Sequence, residues 1–265
     1  MFIIIYFVIV AYRSEEVLKE QIENVKYYNP GCEVVLFNGG EDENFAKHLG
    51  VPICPYSRKL VYGKAAAFLY FTMRWLKEEN IEFDYLVNLD PDMIFINYGF
   101  EEYVRTYMDG YDCMGGHMNI LNTPHDTPHI QPTDDMWREW DYWKPFFNTE
   151  YFVRYLNPGQ VYTKSILEKI LQSTDLNVLE KMWSETKVHA IEEMIWPTLV
   201  MALGGKCRDY QFTYDYPLDQ IRWRPYFSIA EILEKQKLSF FWVHPVTENV
   251  LLEYCKWHMN NERPL

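Results

Sequence analysis

Asp84-Tyr85-Leu86-Val87-Asn88-Leu89-Asp90-Pro91-Asp92-Met93-Ile94-Phe95-Ile96 is the stretch on which the fold turns. An apolar run of strand length stops at two carboxylates, and a second apolar run follows at once. Carboxylates at i and i+2 do not both enter a core, and at a strand end they are able to share a hard divalent cation such as Mg²⁺ or Mn²⁺. Such a cation keeps waters and takes substrate phosphates as its other ligands. The same Asp-x-Asp also occurs as a plain turn. Its position favours the ligand reading, because ligands bind at the carboxyl ends of strands in an open α/β sheet.

Upstream, Met1-Phe-Ile-Ile-Ile-Tyr-Phe-Val-Ile-Val-Ala11 has no basic leader and is too short to cross a bilayer as a helix; its β-branched content reads as a buried strand. Ser14 then caps a helix whose first turn holds Glu15 and Glu16 and whose apolar positions include Val17, Leu18, Ile22 and Val25. Glu33-Val-Val-Leu-Phe37 forms the next strand, stopped by Asn38-Gly39-Gly40. A strand, a helix and a strand in so short a span is a βαβ opening. A helix over Lys64 to Glu79 leads back to the Asp84–Asp90 strand, so the first 100 residues read as an α/β half of nucleotide-binding type.

Downstream, Pro124, Pro128, Pro132 and Pro145 make the Gly115–Phe147 region read as loop-rich. Helical periodicity resumes over Gly159 to Leu203, and Leu238-Ser-Phe-Phe-Trp-Val243 reads as a last strand before His244-Pro245. There is no internal repeat, low-complexity tract or linker. The expectation is one α/β domain over residues 1–265, a Rossmann-like mixed sheet flanked by helices, with a half of nucleotide-binding type at 1–100 and a loop-rich half at 101–265.

Composition narrows the partners. Lys and Arg number 25 against 38 Asp and Glu, a formal charge of −13 that argues against a nucleic-acid partner. Hydrophobic residues at 48% and charged residues at 24% are those of a folded chain. Aromatics reach 17%, which suits either an aromatic core or faces that cover the C–H surfaces of sugars. The five cysteines are scattered and include no Cys-x-x-Cys pair, so reduced thiols are the default. With no Asn-x-Ser/Thr site, they point to a cytoplasmic protein without a transmembrane segment, peripheral membrane association being left open. Gly-x-Gly-x-x-Gly, Gly-x-Ser-x-Gly and His-Glu-x-x-His are absent, and Gly63-Lys64-Ala65 is not a P-loop.

The Asp84-Tyr-Leu-Val-Asn-Leu-Asp90 strand followed by Asp92 resembles that of the GT-A fold glycosyltransferases, which use a nucleotide-sugar donor and a divalent metal. The resemblance implies that Asp92 is the principal metal ligand and that Asp90 reaches the donor ribose or the metal, with Mn²⁺ or Mg²⁺ as the ion. It places the donor at Val10, Ala11, Tyr12 and Arg13 after the first strand, at Asn38 and Gly39 after the second, and at Lys64. Many members close the metal site with a late histidine, for which His244 is the candidate; the alternative is a capped turn residue. His189-Ala-Ile-Glu192-Glu193-Met-Ile-Trp-Pro-Thr-Leu is similar to the acidic element of inverting members, including the core-2 branching N-acetylglucosaminyltransferases. An acid there, Glu193 ahead of Glu192, would be the general base, unless both acids only favour a helix start.

Trp137, Trp140 and Trp143 lie in an aromatic run able to stack on an acceptor sugar or to form a satellite core under a loop. His117, His125 and His129 lack zinc-site spacing. Together these features predict a hexosyltransferase-like enzyme of polysaccharide biosynthesis moving a sugar, from a UDP-sugar by preference, to a glycan or other hydroxyl acceptor with inversion. The rivals are a non-catalytic carbohydrate-binding protein and, less favoured for want of a Gly-rich basic loop after the first strand, a sugar-nucleotidyltransferase.

Overall fold

Strand β1 (Ile5–Ala11) is buried at every position but Tyr6, and a strand enclosed on both faces needs a layer of cover on each. Its alternation sorts the cover: Phe7, Ile9 and Ala11 join one hydrophobic cluster and Val8 and Val10 the other. The computed structural model describes residues 3–211, 220–238 and 240–259; Met1 and Phe2 of the expected first strand, Ser239 of the expected last one, and 260–265 lie outside the described residues.

Helix α1 (Glu15–Tyr28) begins as its sequence dictates, with the Ser14 hydroxyl accepting from the Val17 N–H and Glu15 and Glu16 in the first turn. It packs Val17, Leu18, Ile22 and Val25 into the first cluster. Strand β2 (Glu33–Asn38) lies parallel to β1, with Tyr6 opposite Glu33 and Ala11 opposite Asn38. After α2 (Ala67–Glu78), β3 (Tyr85–Leu89) pairs in parallel with the other edge of β1. The carboxyl ends of three parallel strands therefore lie side by side, and Asp90-Pro91-Asp92 leaves from the last of them.

The chain continues through β4 (Ile94–Phe95), α3 (Phe100–Tyr107), β5 (Cys113–Leu121), α4 (Gln131–Arg138), α5 (Trp140–Phe147) and β6 (Phe152–Thr163). Then come α6 (Lys164–Ser173), α7 (Leu176–Glu185), α8 (Glu192–Ala202), β7 (Cys207–Asp209), α9 (Ile229–Lys237), β8 (Trp242–Val243), α10 (Glu248–Glu253) and a π-helical turn, Tyr254–Met259. The main sheet has six strands in the order β2-β1-β3-β6-β5-β7. Strand β6 runs antiparallel to both β3 and β5, and β7 runs parallel to β5. The architecture is thus the expected mixed α/β sheet flanked by helices. A separate ribbon pairs β4 with β8 in antiparallel fashion, Ile94 opposite Val243 and Phe95 opposite Trp242.

Three segments depart from the sequence expectation. The proline-marked region carries helices α4 and α5, because Pro132 occupies the first turn of α4, where its missing N–H costs nothing, and Pro145 sits near the end of α5. Gly159–Thr163 belongs to strand β6, held between β3 and β5 rather than continuing a helix. The last strand shrinks to Trp242 and Val243.

Candidate active site

Asp90-Pro91-Asp92 is fixed from behind by α1. Gln21, itself buried, donates from Nε2 to the carbonyls of Asp90 (2.8 Å) and Met93 (2.9 Å), and Asn24 exchanges two bonds with the backbone of Phe95. From the other side the Val246 N–H donates to the Asp92 carbonyl at 2.9 Å. Antiparallel pairing of β4 with β8 then sets the residue after β8, His244, against the residues before β4. His244 Nε2 lies 3.2 Å from Asp92 Oδ1 and 3.7 Å from Asp90 Oδ2. Asp90 Oδ1 accepts from Asn157 Nδ2 at 2.9 Å, and Asn88 Nδ2 in turn donates to the Asn157 carbonyl and side-chain oxygens.

One ligand atom from each of Asp90, Asp92 and His244 lies within 4.8 Å of the others. Divalent cations bind such donors at about 2.0 to 2.6 Å, so two ligands of one ion stand no more than roughly twice that apart, and the three residues fit a common ion. The electrostatics agree. Burial, reinforced by Asp92 and opposed by His244 and Asn157, pushes the Asp90 carboxyl up to about 6. Burial also acts to raise Asp92, but the hydrogen bond and charge of His244, with Arg13 behind, hold it below its usual range. Burial works against the imidazolium of His244, and Asp92 and Asp90 more than offset it, so its pKa is raised. A divalent cation would replace that proton as the partner of the two carboxylates. His244 Nδ1 is buried without a hydrogen-bond partner among the described residues.

These residues open onto a cavity of about 280 Å³. Val10, Tyr12, Arg13 and Gly39 line it from the ends of β1 and β2; Leu156, Asn157 and Pro158 come from β6; Glu192 and Glu193 come from the start of α8. Both acids are buried. Glu193 Oε2 accepts from Arg154 Nε at 2.7 Å and forms an ion pair with Arg154 Nη2 at the same distance. Burial raises the Glu193 pKa and Arg154 opposes the rise. Glu192 Oε2 accepts from the Ala65 N–H at 3.0 Å, and burial first, with the charges of Glu193 and Asp90 adding to it, pushes its pKa up to about 7.

The remaining expected residues fall as follows. Ala11 is buried and its carbonyl accepts from the Gly39 N–H. Asn38 shapes the turn after β2, donating from Nδ2 to the Asp42 carbonyl and accepting from the Gly40 N–H. The Lys64 ammonium donates to the Thr186 carbonyl. Trp143 is fully buried with its indole N–H on Thr186, and it stacks on Phe147; Trp137 and Trp140 pack half-buried against Phe152. These indoles join the second hydrophobic cluster, which also holds Val8 and Val10 of β1, because two short helices fold them against it.

Sequence reasoning missed Arg154 and Asn157, which reach the site only through the pairing of β6, and it missed Arg222, Trp223 and Arg224. Those three line the cavity because the Ile221–Arg222 backbone pairs with His244, the Arg222 N–H donating to the His244 carbonyl at 3.0 Å. Clustering of Arg222, Trp223 and Arg224 four residues after Pro217-Leu218 carried no spacing that a sequence template recognises.

No protein-family model matches the chain, and no curated protein matches it in sequence. Among solved structures, the chain is similar to a mannosyltransferase of Pyrobaculum calidifontis in complex with GDP-Man and Mn²⁺, at 9% identity and a TM-score of 0.39. The match covers 64% of this chain and 47% of that enzyme, so the chain spans about half the enzyme's length. Among the described residues no helix is long and apolar enough to cross a membrane.

Proposed function

We propose that the chain is a metal-dependent glycosyltransferase of the GT-A type, moving a sugar from a nucleotide-sugar donor to a hydroxyl of a glycan acceptor with inversion at the anomeric carbon. The observation that carries the reading is the triad of Asp90, Asp92 and His244, gathered by the carboxyl ends of the parallel strands β2, β1 and β3 in a cavity that also holds a buried acid pair. In this reading the 1–100 half binds the donor and the 101–265 half supplies the acceptor side.

Asp90, Asp92 and His244 hold the cation, with Asn88 and Asn157 fixing the direction of the Asp90 carboxylate. When bound, Mn²⁺ or Mg²⁺ supplies Lewis-acid stabilisation of the departing diphosphate. Arg13 adds a second positive charge beside Asp92, and Tyr12 and Gly39 flank the nucleoside end. The acceptor oxygen bonds to the anomeric carbon as the carbon–phosphate-oxygen bond breaks, and the hydroxyl proton passes to the acid pair. Of the two acids, Glu192 rather than the expected Glu193 serves as the base in this reading: burial raises its carboxyl to about 7, in the range that suits a general base, and it is not held by an arginine as Glu193 is. Glu193, tied by Arg154, is the fixed charge behind it.

The test is release of nucleoside diphosphate from a panel of UDP- and GDP-sugars with Mn²⁺ and glycoside acceptors. Release should vanish in Asp92→Ala, and Glu192→Gln should lose transfer while keeping nucleotide binding. Undiminished transfer in Glu192→Gln removes it as the base. Proton NMR of the first-formed anomer tests inversion: an α-product from an α-linked donor contradicts it.

A further inference from the structure

Residues 61–64 make a tight turn at the cavity mouth, closed by an isolated bridge between Val61 and Lys64, with Gly63 at φ +70°. Three bonds fasten the turn to the segment that enters α8. The Ala190 N–H donates to the Gly63 carbonyl at 2.7 Å, the Ala65 N–H to Glu192 Oε2 at 3.0 Å, and the Lys64 ammonium to the Thr186 carbonyl. The His189 ring fills the space beside Gly63 so closely that an added Cβ would stand 2.3 Å from its Nδ1.

The turn is therefore rigid, yet it leaves its two apolar side chains in water. Val61 is 62% and Tyr62 76% exposed, and the Tyr62 ring centroid lies 5.6 Å from that of His189. One exposed tyrosine needs no explanation. An exposed ring on a turn pinned by the carboxylate of Glu192, at the mouth of a cavity lined by polar groups, is a preorganised surface. A flat ring with a polar tip covers the C–H face of a pyranose while leaving the sugar's hydroxyls free.

We propose that Tyr62, flanked by Val61 and His189, is the platform on which a pyranose ring of the acceptor stacks. This inference rests on the glycosyltransferase reading and names the acceptor surface of the same site. The donor's nucleoside end lies instead at Tyr12 and Gly39, on the side of the turn where the Leu60 N–H bonds the Gly39 carbonyl. Tyr62 sits on the His189 side, one residue from the Gly63 carbonyl and three from the Glu192-bound Ala65 N–H. Tyr62, His189 and the acid pair line the same cavity, so a sugar stacked on the ring shares it with Glu192 and Glu193. The fastening makes Tyr62 a positioning residue for the acceptor, since an untethered ring would give up part of its binding free energy to ordering.

Saturation-transfer NMR with methyl glycosides of glucose, galactose, mannose and N-acetylglucosamine, in the presence of Mg²⁺, tests the platform. At least one glycoside should bind; Tyr62→Ala should weaken it by a factor of about 2 to 10, and Tyr62→Phe should retain it. Absence of binding by every glycoside, or undiminished binding to Tyr62→Ala, overturns the proposal. Calorimetric titration of UDP and GDP into the same variants keeps the two readings apart. Loss of nucleotide binding in Tyr62→Ala reassigns the ring to the donor and overturns the platform. Glycoside binding through Tyr62 without any nucleotide binding overturns the acceptor assignment together with the transferase, leaving a sugar-binding surface.

Discussion

Replacing Arg154 with Met leaves the buried carboxylate of Glu193 without its partner. Both residues are only 8% exposed, and Arg154 approaches one oxygen of Glu193 through two nitrogens at 2.7 Å. Breaking such a pair by removing one member costs about 3 to 5 kcal/mol, chiefly the desolvation of the charge left behind. For a chain of 265 residues that corresponds to a melting-temperature loss of roughly 5 to 9 °C.

The loss depends on pH with a definite sign. Glu193 already has a raised pKa from burial, and removing Arg154 takes away the main opposition to the rise, leaving only the weaker charge of His244 against it. A group whose folded pKa exceeds its unfolded value favours folding most below the unfolded value, about 4.3, and that advantage is lost as the pH climbs through the folded pKa. The gap between wild type and Arg154→Met should therefore be wider at pH 8 than at pH 5, because the unpaired carboxyl takes up a proton as the pH falls. Urea denaturation at the two pH values measures it, with Arg154→Met/Glu193→Gln as the rescue. An equal loss at both pH values, with no recovery in the double variant, refutes the buried-charge account and assigns the effect to lost packing.

Asp90→Asn should stabilise the protein in EDTA while removing cation binding. The Asp90 carboxyl, raised to about 6 against an ordinary 3.8, withdraws stability as the pH rises between about 4 and 6, so at pH 7 the gain is on the order of 1 to 3 kcal/mol. Denaturation midpoints with and without Mn²⁺ check this, and a less stable Asn variant in EDTA would count against it. Gly63→Ala puts a Cβ in the left-handed region and against the His189 ring, so about 1 to 3 kcal/mol of stability should be lost. A variant with an unchanged urea midpoint would show that the turn adjusts freely.

The parallel half was legible because its signals are local. The unbroken apolar run of Ile5–Ala11, the Ser14 cap and the Asp84–Asp90 strand each follow from neighbours within a few residues. His244 was legible as a strand-end imidazole, although the β4–β8 ribbon that brings it to Asp92 joins residues far apart in the chain. Arg154, Asn88 and Asn157 carried no local signal: each looks like an ordinary strand residue until tertiary packing sets Arg154 against Glu193 of α8 and links Asn88 through Asn157 to Asp90. Tyr62 was equally silent, since its importance comes from the His189 and Glu192 contacts that hold its turn. The proline-marked region was misread because proline disrupts a helix interior but suits a first turn, and only the capping geometry of Ile130–Gln131 tells the two apart.

The most direct test of the account is calorimetric titration of UDP, GDP, CDP and dTDP with and without Mn²⁺, beside an Asp92→Ala control. Binding of a nucleoside diphosphate that requires Mn²⁺ and disappears in Asp92→Ala is the predicted result, because in the proposed mechanism a cation at Asp90, Asp92 and His244 would engage the diphosphate. If no nucleotide binds under either condition, or if binding is the same without Mn²⁺ and in Asp92→Ala, the claim of a metal-dependent donor site is contradicted.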